Sequence, residues 1–384
     1  MRILILHSRY RSGPASGENR VVDDEARLLA EGGHRVEVFA PSVGEPSGFE
    51  LLQTGARLVW SGQATAAVRE RLRRLQPDIV HCHNLFPALS PAVLREVNGR
   101  APVVMTLHNY RLLCLPGILF RDGRNCQDCL GRVPWPGVLH GCYQNSVPPS
   151  FALGASLTLH RKLGTFDRVN LYLAISRFVR TKHVEGGLAP ERVVVKPHFA
   201  WPGELRHTPG EYFLYLGRLS QEKGVATLLQ AWQGIRERLL IVGDGPEASH
   251  LRSRAPSNVE FLPTVTPDRA RSLIRSARAV LLPSRSHEGA GKVVLEAYAA
   301  GVPVAVSRVG GLPEAVQDGV TGLLLPPGDA SGWVGAIERL MDDSESERLG
   351  RGGLRMWAEQ YSPEPGLARL EEAYRAVIDH QGSS

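Results

Sequence analysis

The chain has 384 residues, of which 43% are hydrophobic and 22% charged, with a formal net charge of +6. This length exceeds that of one usual domain and suits two α/β domains with a cleft between them. No apolar segment is long enough to span a bilayer, which excludes a membrane-spanning helix, and there is no tandem repeat. Because the opening apolar run is also too short for a secretory signal, we expect a cytoplasmic protein.

Positive charge is concentrated in the first half of the chain. Residues 1–200 contain 25 Lys and Arg against 16 Asp and Glu, a net charge of +9, whereas the remainder has 20 against 23, or −3. A basic face suits an anionic membrane or a phosphate-linked lipid acceptor, although a basic surface that is simply soluble explains it about equally well. No nucleic-acid recognition motif accompanies the charge, so we expect no nucleic-acid partner.

The first predicted elements form a β-α-β unit. Residues 1–6 predict a buried strand, residues 16–30 an amphipathic helix, and residues 32–39 a second strand. Apolar runs at residues 77–83 and 102–109 predict two more parallel strands, each ending in polar residues.

Three histidines lie at the ends of these later strands. Ligands of open α/β sheets bind beyond the carboxyl ends of the strands, so His108 is well placed to contact one. His81 and His83 also lie at a strand end, and a histidine at such a position is more often structural than catalytic.

Four of the five cysteines lie in an insertion at about residues 110–145. Cys126 and Cys129 have zinc-knuckle spacing. Cys114 and Cys142 on either side could complete a structural four-thiolate zinc site, with His140 as a substitute ligand. Cytoplasmic proteins seldom keep disulfides, which favours a metal over bridges. Four reduced thiols are an equally good explanation.

Prolines and glycines at residues 196–203 mark the boundary between an N-terminal domain at 1–200 and a C-terminal domain at 207–360. A predicted strand at 212–219 ends in Gly217 and Arg218, and Arg218 and Lys223 flank the turn that follows it. The planar fork of arginine and the point charge of lysine suit a diphosphate whose negative charge grows as it departs. Two surface cations are the alternative, with about equal weight.

A second strand-to-helix junction carries two carboxylates and a glycine-rich turn. The strand is predicted at residues 279–283 and the helix from Lys292. The open turn leaves amides for a phosphate, whereas the carboxylates would accept hydrogen bonds from sugar or ribose hydroxyls. Two solvated glutamates are the more frequent explanation when such a pair stands alone. The amides belong to Gly291, Lys292 and Val293, and the carboxylates to Glu288 and Glu296.

The stretch from about residue 212 to 327 resembles the donor-binding domain of glycosyltransferase family four, a retaining family also described as glycosyl transferases group 1. The resemblance implies an α/β chain with the GT-B fold, in which two Rossmann-like domains have parallel sheets facing a central cleft. It also implies that a helical segment at 362–384 crosses back onto the N-terminal domain. Four motifs occur in the family's order: Gly217 to Gly224, Val242 to Pro246, the pair Glu288 and Glu296, and Gly301 to Val304 with Gly310 to Glu314.

The resemblance also implies roles for single residues of the C-terminal half. Arg218 and Lys223 would hold the donor diphosphate. Glu288 would hold the hydroxyls of the donor sugar, and Glu296 those of the ribose. The family usually has an aromatic residue where this chain has Ala290, so the identity of the sugar does not carry over.

In the N-terminal half, the resemblance is less specific. His108 matches the family's active-site histidine, which we expect to orient donor or acceptor. Gly17 matches a loop that approaches the donor phosphates, although a simple turn glycine is an equally good explanation.

By the same resemblance, the expected reaction moves a sugar of the hexose type from a UDP- or GDP-sugar to a hydroxyl of a sugar or lipid-linked acceptor. It proceeds with retention, as in cell-surface polysaccharide or glycoconjugate biosynthesis. No metal is expected in catalysis, because the sequence has no apparent DxD metal site. Two alternatives stay open, namely a nucleotide-sugar 2-epimerase on the same fold and a catalytically silent donor-binding scaffold.

Two apolar segments next to basic residues favour a peripheral position at the inner face of the membrane. They lie at residues 112–120 and 151–163, the second with His160-Arg161-Lys162. Buried packing explains the same residues somewhat better.

Overall fold

The computed structural model describes residues 1–9, 17–42 and 50–382, with residues 50–54 and 381–382 described by their backbone only. The chain divides into two compact units. The first contains residues 1–119, 127–196 and the chain from Leu367 onward, and the second contains residues 120–126 and 197–366. The crossing from Lys196 to Pro197 falls in the proline- and glycine-containing segment that the sequence marked as a boundary.

The first unit is built on a six-stranded sheet. Its strands are β1 (Arg2–Leu6), β2 (Arg35–Phe39), β3 (Ile79–Cys82), β4 (Val103–Leu107), β7 (Leu171–Ala174) and β8 (Val193–Val195). The strands are all parallel and follow the order β2-β1-β3-β4-β7-β8. The first four lie where the sequence predicted them.

Helices connect these strands because parallel neighbours need long crossovers. The apolar stripe of the first helix buries Val21, Val22, Leu28 and Leu29, as its amphipathic pattern predicts. The helices of this part of the chain are α1 (Gly17–Glu31), α2 (Glu50–Val59), α3 (Gly62–Leu75), α4 (Val93–Val97), α5 (Trp135–Leu139), α6 (Val147–Lys162) and α7 (Arg177–Glu185).

The second unit contains another all-parallel sheet. Its strands are β9 (Tyr212–Leu216), β10 (Arg238–Val242), β11 (Val259–Leu262), β12 (Ala279–Leu282), β13 (Val304–Ser307) and β14 (Gly322–Leu325). They follow the order β11-β10-β9-β12-β13-β14, so the chain leaves β9 and β12 in opposite directions along the sheet. Such a reversal creates a crevice beyond the carboxyl ends of the strands, where ligands of this architecture bind.

Two apolar cores lie against the second sheet, and each contains alternate residues of its strands. Because the central strands β9, β12 and β13 are buried on both faces, they read as continuous apolar runs and not as alternating ones. The helices of this unit are α8 (Val225–Trp232), α9 (Ala248–Arg254), α10 (Pro267–Arg275), α11 (Lys292–Ala299), α12 (Leu312–Ala315), α13 (Ala330–Met341) and α14 (Asp343–Met356).

Two segments belong to a different unit from the residues that precede them in the chain. The last helix, α15 (Pro363–Gly382), belongs to the first unit from Leu367 onward, and its Tyr374 hydroxyl lies 2.7 Å from Nδ1 of His81. The hairpin of β5 (Phe120–Arg121) and β6 (Arg124–Asn125) belongs to the second unit. There the Arg285 guanidinium donates a hydrogen bond of 2.9 Å to the carbonyl of Gly123.

Candidate functional site

The strand reversal in the second unit brings together two predicted residues that are 65 positions apart. Lys223 follows β9 and Glu288 follows β12, and the Lys223 ammonium donates a hydrogen bond of 2.6 Å to Oε1 of Glu288. The Ser284 hydroxyl donates a second bond of 2.7 Å to the same oxygen. Sequence reasoning did not single out Ser284, although it directly follows the predicted strand.

The two charged side chains form an ion pair, in which each charge offsets the cost of burying the other. The Lys223 side chain is 31% exposed and that of Glu288 15% exposed. Burial alone would lower the pKa of Lys223, but the Glu288 carboxylate outweighs it and raises the pKa, against the opposing charge of Arg218. Burial would raise the pKa of Glu288, but the Lys223 ammonium outweighs it and lowers the pKa. Both groups are therefore charged at neutral pH.

Backbone hydrogen bonds hold the two loops against each other. The amides of Arg285 and Ser286 donate to the carbonyl of Glu222, over 2.8 and 3.2 Å. Arg218 is exposed, and its carbonyl accepts a bond of 2.8 Å from the Tyr215 hydroxyl. The two bonds to the Glu222 carbonyl hold the loop after β9, which contains Lys223, against the loop after β12, which contains Glu288.

The loop that contains Glu288 leads directly into α11. Gly291 is buried and precedes the helix, and Lys292 and Val293 are its first two residues, so the first amides of α11 lie where the sequence predicted a phosphate-binding turn. Glu296 is half-buried one turn further along the helix. The residues predicted in the C-terminal half therefore lie on two loops and one helix that follow β9 and β12.

The remaining predicted residues lie in the first unit. Gly17 is the exposed first residue of α1, and the seven residues before it lie outside the described part of the chain. His108 follows β4, and its Nε2 lies 2.7 Å from Nδ1 of His83. The two histidines line an open pocket, together with Asn84, Asn109 and mostly apolar side chains.

Two charged residues of the first unit were missed from the sequence. The ammonium of Lys196 contacts Oε1 of Glu25, and the exposed fractions of the two residues are only 1% and 0%. Glu25 lies on α1 between the buried residues Val22 and Leu28. A carboxylate that interrupts the apolar stripe of a helix is the sequence feature that could have indicated its burial. A buried charge at such a position requires a partner, but nothing local identifies Lys196.

The predicted zinc site gains no support from the cysteine positions. A metal site needs several His, Cys, Asp or Glu side chains whose ligand atoms lie close together. Among the described residues, Glu25, His81 and His83 form such a group, with ligand atoms within 4.8 Å of one another, and it includes none of the cysteines. A structural zinc ion needs four ligand atoms within such reach. Of the four cysteines predicted as ligands, Cys114 and Cys129 are buried and Cys126 and Cys142 are half-buried.

The two apolar segments predicted as membrane-facing differ in exposure. In the first, Leu113, Leu115 and Leu119 are at most 2% exposed, so the buried-packing alternative holds for residues 112–120. In the second, Phe151 and Leu159 are 54% and 38% exposed on α6. No helix of the described residues is both long enough and apolar enough to cross a membrane.

Two family models match this chain. The model described as Glycosyltransferase Family 4 matches residues 15–200, and the model described as Glycosyl transferases group 1 matches residues 210–343. The first match ends within the predicted boundary segment at residues 196–203, and the second begins after it.

Curated relatives extend the similarity over most of the chain. D-inositol 3-phosphate glycosyltransferase of Pseudarthrobacter chlorophenolicus is 28% identical over 96% of this chain and 92% of its own length. Glycogen synthase of Mycobacterium tuberculosis is 27% identical over 89% of this chain and 86% of its own length.

Solved structures share the architecture at lower identity. Sucrose-phosphate synthase of Thermosynechococcus elongatus has a TM-score of 0.73 at 17% identity, covering 99% of this chain and 100% of that one. Anabaena HepE in complex with UDP-glucose has a TM-score of 0.66 at 18% identity, covering 98% of this chain and 100% of its own. With two parallel six-stranded sheets and a family match on each half, the chain belongs to glycosyltransferase family 4 and has the GT-B fold.

Proposed function

We propose that this protein transfers a sugar from a nucleoside diphosphate sugar to a hydroxyl of a sugar or lipid-linked acceptor, with retention of configuration, in cell-surface polysaccharide or glycoconjugate biosynthesis. The observation that carries the proposal is the Lys223–Glu288 pair at the strand reversal, beside the loop that leads into α11. A cation and helix amides suit a diphosphate, and a carboxylate suits the hydroxyls of the attached sugar. HepE, which shares the fold, was solved in complex with UDP and with UDP-glucose.

The proposed roles of the residues follow from their charges. Arg218, Lys223 and the first amides of α11 would stabilise the negative charge that develops on the departing diphosphate. Glu288 would hold the hydroxyls of the sugar, and Glu296 those of the ribose. For retention, the departing phosphate would take the proton of the acceptor hydroxyl on the same face of the sugar. His108, which lines the pocket of the first unit, would orient donor or acceptor.

The donor assignment is tested by thermal melting of the purified protein with UDP, GDP, ADP and TDP. A ligand that binds only the folded protein raises its melting temperature. We expect one diphosphate, UDP or GDP, to give a clear rise, and Arg218→Ala and Glu296→Ala to reduce that rise. Arg254→Ala, which removes an exposed cation of α9, is the control and should leave the rise unchanged. A protein that no diphosphate stabilises would lack the proposed donor site.

Product analysis with the stabilising nucleotide-sugar then separates the reaction classes. A transferase forms product only when a hydroxyl acceptor is present, whereas a 2-epimerase changes the sugar without one. Tight nucleotide binding with no turnover on any acceptor would instead identify a silent donor-binding scaffold. Anomeric NMR of the product distinguishes retention from inversion.

We also propose that the protein is cytoplasmic and binds the inner face of an anionic membrane through α5 and α6. On α6, Phe151 and Leu159 are exposed and the helix ends at the exposed Lys162. On α5, which packs against α6, Trp135 and Leu139 are 53% and 67% exposed. Exposed aromatic and aliphatic side chains beside a cation suit the headgroup region of an anionic bilayer, and the net charge of +9 in residues 1–200 has the complementary sign.

Co-sedimentation with vesicles tests this surface. We expect the protein to bind phosphatidylglycerol-containing vesicles and not pure phosphatidylcholine. Because Phe151 is 54% exposed, a membrane can bury only about half of its apolar surface, and Phe151→Ser should weaken binding by about fivefold. Val320→Ser, which removes a 47% exposed apolar side chain from the second unit, is the matched control and should leave binding unchanged. Equal effects of both substitutions would contradict the assigned surface.

A further inference from the structure

A buried line of polar side chains runs from Lys196 to His108 in the first unit. The Lys196 ammonium contacts Oε1 of Glu25, and Oε2 of the same carboxylate lies 3.8 Å from Nε2 of His83. On its other side, His83 places Nδ1 2.7 Å from Nε2 of His108. His108 lines the pocket, and the contacts that begin at its ring lead through His83 to the buried ion pair of Glu25 and Lys196.

Two buried atoms of this line face each other. Among the described residues, neither Oε2 of Glu25 nor Nε2 of His83 has a hydrogen-bond partner. A buried polar atom left without a partner is costly, so each of these two atoms is the natural partner of the other, directly or through one water molecule. Their separation of 3.8 Å is longer than a hydrogen bond but short enough for the carboxylate charge to act on the His83 ring.

His83 is a neutral imidazole. It is 4% exposed, and burial lowers its pKa well below the ordinary value, with further lowering by three neighbouring histidines and Lys196. A neutral imidazole carries one ring proton, so one of its nitrogens donates and the other accepts. Which nitrogen donates is decided by the groups that face the ring.

The facing groups favour the proton on Nε2 of His83. This nitrogen faces a carboxylate, which accepts hydrogen bonds and attracts a positive hydrogen. Nδ1 of His83 is then left as an acceptor, so the short contact to His108 requires His108 to donate from its Nε2. A neutral His108 must in turn keep its Nδ1 as an acceptor atom.

We propose that Glu25 and His83 are positioning residues that hold His108 in the tautomer protonated on Nε2, so that its Nδ1 acts as a hydrogen-bond acceptor when the sugar or the acceptor hydroxyl is bound. The use of this acceptor rests on the proposed function, whereas the tautomer itself does not. Lys196 contributes by holding Glu25 in place, because a buried carboxylate needs a cationic partner.

A metal ion explains the same cluster less well. Glu25, His81 and His83 offer ligand atoms within mutual reach, but both ring nitrogens of His81 already have partners. Its Nδ1 lies 2.7 Å from the Tyr374 hydroxyl and its Nε2 lies 2.7 Å from the Thr106 hydroxyl. The ammonium that contacts the carboxylate would also repel a divalent cation.

The tautomer can be read directly from long-range proton–nitrogen NMR of the full chain labelled with ¹⁵N-histidine. The His108 signals are assigned by their loss in His108→Gln. In the unsubstituted protein, we expect the ring proton of His108 on Nε2 and none on Nδ1. A proton on Nδ1 of a neutral His108 would overturn the proposal, whatever the protein's activity.

Substitutions of His83 test whether it selects the tautomer. His83→Phe removes the acceptor and should give a mixture of His108 tautomers, with kcat lowered by about fivefold at little change in donor KM, the scale of one lost hydrogen bond. His83→Asn places an oxygen near the former Nδ1 and should restore both the tautomer and most of the turnover. An unchanged His108 tautomer in His83→Phe would also overturn the proposal.

The matched control is His34→Asn. His34 is another mostly buried histidine of the first unit, and its Nε2 lies 2.9 Å from a carboxylate oxygen of Glu371. The substitution removes a histidine–carboxylate contact at a position before β2, at the opposite end of the sheet from His108. It should change neither the His108 tautomer nor kcat.

The role of Glu25 is tested by removing both charges of the ion pair together, because a single substitution would leave the partner charge buried and destabilise the fold. In the double variant Glu25→Gln with Lys196→Met, we expect His108 to lose its preference for Nε2. A preference that survives in this variant would remove Glu25 from the proposal. Should the tautomer change as expected in every variant while no nucleotide-sugar is turned over, the proposed function fails and the positioning inference stands.

Discussion

Replacing Lys223 with methionine is expected to lower turnover of the nucleotide-sugar by about 100-fold or more, the usual cost of losing one preorganised group that faces a developing anion. Lys223 is held 2.6 Å from Glu288, so its ammonium has a fixed position before the donor arrives. A fixed charge needs little reorganisation when the diphosphate departs, and this makes its contribution large. Methionine keeps a similar apolar stem and removes only the charge.

The measurement is steady-state kcat and KM, with thermal melting to establish that the variant is folded. Some loss of stability is expected, because Glu288 keeps its bond from Ser284 but loses its cation. Arg254→Met removes an exposed cation of α9 in the same unit and is the matched control, for which we expect unchanged kinetics. A folded Lys223→Met protein with normal kcat would rule out the assigned role.

Replacing Gly310 with alanine is expected to disrupt the proposed donor site, although Gly310 is not one of the residues assigned to bind the donor. Gly310 has φ of +61°, a conformation that costs an alanine about 1–2 kcal/mol. An added Cβ would also lie 2.6 Å from the amide nitrogen of Glu288 and closer still to its carbonyl oxygen. The Glu288 loop would have to move, and with it the hydrogen bond of 2.8 Å from the Gly311 amide to the Glu288 carbonyl.

Gly301→Ala is the control, because it introduces the same backbone strain without the steric clash. Its φ is +69°, close to that of Gly310, but an added Cβ would meet nothing within 4 Å. Gly301→Ala should therefore lose only the stability that backbone strain costs, whereas Gly310→Ala should also lose about tenfold or more in donor affinity and turnover. Melting curves and donor titrations of both variants check this, and equal losses of donor affinity would contradict the steric argument.

Local sequence signals were sufficient to single out the residues proposed for the donor site within their own segments. Glu288, Gly291 and Glu296 lie within nine consecutive residues, and the apolar run before them and the helical pattern after them are short-range features. The strands predicted at 1–6 and 279–283 rest on the same kind of signal and are confirmed to within one residue, whereas the strand predicted at 212–219 ends earlier, at Leu216. Buried parallel strands are apolar throughout, so their positions can be read without knowledge of their neighbours.

Tertiary structure alone decided which of these segments meet. Lys223 contacts Glu288 across 65 residues because β9 pairs with β12, and Glu25 contacts Lys196 across 171. The sequence by itself determined the elements, the polar residues at their ends and, through its motifs, the family. Strand order and helix packing determined the ion pairs and the contact between His83 and His108, because side-chain partners distant in sequence leave no periodic or turn signal in either segment.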